Sequence, residues 1–134
     1  MTTTLTITVS NNRAMIEVEP VPCGGTPQGN TSKALIDTGA TNTCLHGQVF
    51  RTAAIKPGRA RITMTTADGG KEKRKLFPCD LYLSDGKSTV ALKGVSVVGL
   101  DPDSEEEVIV GMDTLLLCEM NLDGPSGVMT LEFP

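Results

Sequence analysis

The short apolar run Ala34-Leu35-Ile36 stops at Asp37-Thr38-Gly39-Ala40. A strand that carries a carboxylate out of an apolar layer and into a glycine turn restricts the fold more than any other feature of this chain. An isolated carboxylate withdrawn from water is costly and ordinarily neutralises or finds a partner. Two such turns brought face to face resolve the cost: one carboxylate keeps a proton and the other stays ionised. A water held between them is then activated as a nucleophile by one group while the other donates to a substrate carbonyl. The neighbours suit that arrangement. Gly39 lets backbone approach the reacting centre, its amide can bond a carboxylate, and the Thr38 hydroxyl is short enough to tie one turn to its mate. The plainer alternative is a turn aspartate bonded to nearby amides, a common use of Asp before Gly.

Around this turn the chain reads as strands and breakers. Leu5, Ile7 and Val9 alternate with threonines, Ser10 to Arg13 supplies a turn, and Ala14, Ile16 and Val18 resume the alternation, which predicts an N-terminal β-hairpin. Pro20 to Ser32 holds too many prolines and glycines for a regular element and is expected as a surface loop. Arg61 to Thr66, the turn Ala67-Asp68-Gly69-Gly70 and a return through Lys75 and Phe77 predict a protruding hairpin. Leu81 to Leu83, a turn at Ser84-Asp85-Gly86 and Val90 to Val98 follow as further strands, then an exposed acidic loop from Gly99 to Glu107. Val108-Ile109-Val110-Gly111 reads as a buried strand, Met112 to Cys118 as the one helix, with Leu115 and Leu116 inward, and Met120 to Phe133 as a C-terminal hairpin. The result is an all-β chain with one short helix near its C-terminus. Its 134 residues are room for one domain. With aromatics at 3%, the core is assembled from Val, Ile, Leu and Met, and association with a partner is a plausible source of added stability.

Charge and composition exclude several functions. A net charge of −4 offers no electrostatic footprint for nucleic acid, and the basic stretch Lys71 to Lys75 is interrupted by Glu72, as on a solvated hairpin face. No apolar run reaches membrane-spanning length and the N-terminus lacks the regions of a secretory signal, so a soluble, cytoplasmic protein is expected. Cys23, Cys44, Cys79 and Cys118 form no close pair and His46 is the only histidine, which argues against metal and for reduced, mostly buried thiols. A catalytic imidazole at His46 or a nucleophilic Cys44 is disfavoured: the facing-carboxylate chemistry needs neither, and Cys44 has no histidine partner nearby in sequence.

An Asp-Thr-Gly tripeptide arises by chance in roughly a few per cent of chains this long. Its context is more specific: Leu35 to Ala40, then a glycine-tipped hairpin, then Val108-Ile109-Val110-Gly111-Met112-Asp113-Thr114-Leu115 before a short helix. In these three features and their order, from about Ala34 to Leu117, the sequence resembles the retropepsin-like aspartic proteases. The resemblance implies a single-lobe acid-protease β-barrel spanning residues 1–134, paired as a homodimer and cleaving protein or peptide substrates without a cofactor or metal. It implies Asp37 as the catalytic carboxylate, and Thr38, Gly39, Gly111 and Asp113 as support for the active-site turn. Substrate contacts fall to Gly39, Ala40 and the flap Thr66, Ala67, Asp68, Gly69 and Gly70. Viral members commonly carry Arg after the second glycine; Met112 stands there instead, which resembles nonviral, particularly bacterial, relatives. Two alternatives remain open from sequence: a peptide-binding or assembly module on the same fold without efficient catalysis, and an unrelated β-barrel with an accidental tripeptide.

Overall fold

A computed structural model describes residues 2–65 and 68–134. In β1 (Thr3–Thr8) Leu5 and Ile7 point inward and Thr4, Thr6 and Thr8 outward, as the alternation requires. The following turn is the expected one: Ser10 and Arg13 exchange both backbone hydrogen bonds at 3.0 Å. Asn11 and Asn12 take left-handed φ values of 53° and 59°, the conformations a tight two-residue loop demands. The predicted hairpin nevertheless does not form. β1 pairs along its whole length with β11 (Val128–Phe133), while β2 (Met15–Val21) pairs with β3 (Ser32–Ile36) and β7 (Phe77–Ser84). Alternation fixes which side chains face inward, but an apolar face chooses its neighbour by where it finds cover. Leu5 lies opposite Leu131 and Ile7 opposite Met129, all four buried.

Six strands close a barrel in the order β2-β3-β9-β4-β8-β7, with β4 at Cys44–Leu45, β8 at Thr89–Gly99 and β9 at Val108–Val110. Closure removes free edges and buries Val18, Leu45, Leu81, Leu83 and Val108 completely. β9 matters most for the site. It runs parallel to β3 from Ala34↔Val108 to Ile36↔Val110 and antiparallel to β4 through Cys44↔Ile109. Threaded between the two strands that flank residues 37–43, it delivers Gly111 beneath their connecting turn.

The protruding hairpin is present as β5 (Arg61–Thr65) and β6 (Lys71–Lys75); Thr66 and Ala67, assigned to its tip from sequence, lie outside the described residues. β10 (Glu119–Asp123) and β11 form the expected C-terminal hairpin, closed by Gly127 N donating to Asp123 O at 2.9 Å. β10 is the outer strand of the β1-β11-β10 sheet and is exposed throughout.

The helices depart from expectation. Residues 47–53 form a helix, α1 (Gly47–Ala53), that hydrophobic period does not reveal, because only the adjacent Val49 and Phe50 are buried. Phe50 stacks on Phe77 with ring centroids 4.0 Å apart, so packing rather than periodicity holds this helix in place. The segment predicted as the sole helix shortens to α2 (Met112–Leu115), in which Leu115 is buried while Leu116, expected inward, is 75% exposed.

Candidate active site

Asp37 follows β3 directly, and its backbone is fixed from both sides: its amide donates to Val110 O at 3.0 Å, and its carbonyl receives the Ala40 amide at 3.2 Å. The carboxylate is half-buried and Oδ1 accepts from the Gly39 amide at 2.9 Å. No cation pairs with it among the described residues. A Cβ at Gly39 would sit 3.2 Å from that same oxygen, so the glycine keeps the carboxylate and its amide in register.

The turn is held from below by the end of β9. A Cβ at Gly111 would lie 2.5 Å from Asn42 O and 2.8 Å from Ala40 O, closer than carbon and oxygen tolerate, so only glycine permits this approach. Beyond it, Met112 N donates to Ala40 O at 2.8 Å and Asp113 N to Thr41 O at 3.2 Å, satisfying carbonyls of the turn. Asp113 closes the clamp by accepting from Thr43 N at 2.9 Å and Thr43 Oγ1 at 2.7 Å.

The centre of this clamp is Thr43, which sequence reasoning passed over. Its side chain is 1% exposed. Its hydroxyl donates to Asp113, accepts from Gly111 N at 3.1 Å and meets Thr114 Oγ1 at 2.7 Å, which uses its one donor and both acceptor positions. Thr43 lies just before the buried pair Cys44-Leu45 of β4, and nothing in the local sequence marks it.

The structure therefore brings Asp37, Gly39, Ala40, Gly111 and Asp113 into one assembly. Thr38 stands beside them with an exposed side chain whose hydroxyl has no partner among the described residues. Asp68, Gly69 and Gly70 are on the separate β5–β6 hairpin and exposed; Gly70 N donates to Asp68 Oδ1 at 3.0 Å and Gly69 takes a φ of 86°. That hairpin is anchored at its base, where Gly58 N donates to Leu76 O at 2.8 Å and Arg74 Nη1 to Gly99 O at 3.0 Å. Cys44 is a packed thiol: burial, with the Asp113 charge adding to it, pushes its pKa up to about 11. His46 is structural. Its Nδ1 accepts from Gln48 N at 3.1 Å to cap α1, and its Nε2 lies 3.3 Å from Pro102 O.

A closed barrel presenting one Asp-Thr-Gly turn over a glycine clamp is the single lobe of an acid-protease fold. The family model described as "gag-polyprotein putative aspartyl protease" matches residues 24–116, and the chain belongs to this retropepsin-like family. Among solved structures, the chain is similar to the crystal structure of a retropepsin-like aspartic protease from Rickettsia conorii. The TM-score is 0.64 at 16% identity, over 99% of this chain and 93% of that one. No curated protein matches the sequence.

Proposed function

We propose that the chain is an aspartic endopeptidase acting as a homodimer, with Asp37 of one subunit facing Asp37 of the partner subunit across a two-fold axis. The observation that carries this reading is the turn itself. A half-buried carboxylate, oriented by the Gly39 amide and free of any cation partner among the described residues, sits beside a Thr38 hydroxyl that also lacks a partner. One lobe supplies half of a dyad. With the second in place, the ionised carboxylate takes a proton from water as its oxygen attacks the peptide carbonyl, and the protonated one gives its proton to the carbonyl oxygen. Collapse of the tetrahedral diol returns a hydroxyl proton to one carboxylate while the other protonates the departing amide nitrogen. The Thr38 side chains tie the two turns, Gly39 and Ala40 receive an extended peptide, and the hairpin carrying Asp68, Gly69 and Gly70 closes over it.

Exposed apolar side chains in the C-terminal segment suit a second copy. Leu116 and Leu117 follow α2 at 75% and 49% exposure, and Met120 and Leu122 stand on the edge strand β10 at 39% and 58%. The test is peptidase activity across a dilution series, with sedimentation run in parallel. Activity falling faster than linearly, and poisoning of wild type by excess Asp37→Asn subunits, is the expected result. Specific activity that holds constant where only monomer sediments would overturn the dyad. Peptide binding without any cleavage by the wild-type dimer would instead identify a binding module on this fold.

A further inference from the structure

A groove unrelated to Asp37 opens where two strand ladders part. β2 stays paired with β7 as far as Val21↔Asp80, but its ladder with β3 stops at Val18↔Ser32. Residues 22–31 swing away from the barrel, and between this loop and α1 lies a cavity of about 780 Å³, within the size range of ligand-binding clefts. Its apolar lining includes Pro20, Val21, Pro22, Val49 and Ala53, and Glu105, Glu106 and Glu107 contribute an acidic side. None of residues 37–40, 68–70 or 111–113 lines it.

The loop that walls the groove is fixed rather than loose. Glu19, only 6% exposed, receives the Gln28 amide at 2.7 Å and the Gly29 amide at 3.0 Å. Asp80, 2% exposed, receives the Gly24 amide at 2.9 Å and the Gly94 amide at 2.8 Å, so the loop is joined both to its own base and to β8. A groove shaped in advance spares a ligand the cost of ordering it. Its charge is also unbalanced. Glu106 is paired with Arg13 and Glu19 is occupied by two amides, whereas Glu105 and Glu107 have no cation partner among the described residues, Glu107 Oε1 accepting only the Lys33 amide at 3.4 Å. Apolar walls beside two exposed carboxylates without a cation partner among the described residues complement a peptide in which Lys or Arg flank apolar side chains.

We propose that this groove docks an extended basic-apolar peptide segment of a partner protein, at a site separate from the Asp37 turn and independent of whether that turn is catalytic. The probe is a fluorescein-labelled Lys-Leu-Lys-Val-Arg-Leu-Lys peptide, titrated by anisotropy with full-length Asp37→Asn protein so that nothing is cut. A Glu-Leu-Glu-Val-Glu-Leu-Glu peptide serves as the counterpart. The basic peptide should bind and the acidic one should not. The double variant Glu105→Gln/Glu107→Gln, which changes two exposed side chains, should weaken binding roughly fivefold and flatten its salt dependence. Thr52→Arg, at an exposed α1 position lining the groove, places a cation in the site and should weaken binding at least about tenfold. Equal binding of the two peptides, no binding of the basic one at millimolar protein, or an affinity that survives both groove variants overturns the proposal.

Discussion

Replacing Gly111 with Ala tests the clamp under the Asp37 turn through a single methyl group. The added Cβ would meet three backbone atoms at 2.5, 2.6 and 2.8 Å: Asn42 O, Asn42 C and Ala40 O. None belongs to a flexible side-chain end, so the turn itself has to move. Overpacking of this kind costs about 1–3 kcal/mol. Movement that relieves it pulls Ala40 O and Thr41 O away from the Met112 and Asp113 amides, each such bond being worth about 1 kcal/mol. We expect Gly111→Ala to lose roughly 3 kcal/mol, which at this chain length lowers Tm by about 10 °C. Thermal unfolding followed by circular dichroism reads this directly. Gly39→Ala is the informative companion, because its Cβ approaches only Asp37 Oδ1, at 3.2 Å, the movable end of a side chain. It should unfold within about 1 kcal/mol of wild type while displacing the carboxylate from its amide, and so lose peptidase activity without losing the fold. A Gly111→Ala protein that melts within about 2 °C of wild type would refute the reasoning.

Thr43→Val keeps the shape of the side chain but leaves Gly111 N without its acceptor and removes a bond from Asp113; urea unfolding should show a loss of about 2 kcal/mol, with Thr43→Ser close to wild type. Acid should destabilise the protein through Asp80 and Asp85. The Gly94 and Gly24 amides hold the Asp80 carboxyl below its usual pKa, and at Asp85 burial is outweighed by the Thr6, Ser88 and Lys87 amides. In this window the unfolded chain binds more protons, so their contribution is present above about pH 4 and is lost as pH falls through the folded values. The urea midpoint should decline below about pH 4, and less steeply in Asp80→Asn; equal slopes in the two proteins would contradict it. Thiol labelling of the native protein should reach exposed Cys23 first, while burial pushes Cys44 to about 11 and Cys79 to about 12, so both should label only on unfolding. Labelling of all three at one rate would show that the barrel is open.

What could be read from the sequence was whatever depends on local chemistry. The Asp37 turn declared itself because an apolar strand, a carboxylate and a glycine follow one another, and the turn at Ser10 to Arg13 because two asparagines tolerate left-handed backbone. Gly111 and Asp113 were reached through the family resemblance, and the clamp explains both. Thr43 was not legible, since its importance lies in bonds to Gly111, Asp113 and Thr114, residues distant in sequence. The partner of β1 was not legible for the same reason: alternation gives a strand its faces but not its neighbour. α1 escaped because a seven-residue helix capped by a histidine and held by one phenylalanine stack has neither a period nor a common capping residue to announce it.

The threading of β9 between β3 and β4 also sets an order of events during synthesis. Residues 34–36 find their parallel partner only in residues 108–110, and the carbonyls of Ala40 and Thr41 meet their donors only in Met112 and Asp113. At about 5–20 residues per second, a ribosome needs roughly 4–15 seconds to travel from the first of these segments to the second. Throughout that interval the Asp37 turn exists as sequence but not as shape. Parallel pairing across so long a loop is also among the slower steps available to a folding chain. The geometry of the turn is therefore among the last parts of the barrel to form, and a nascent chain has left most of its own length behind before it carries a finished Asp37 turn.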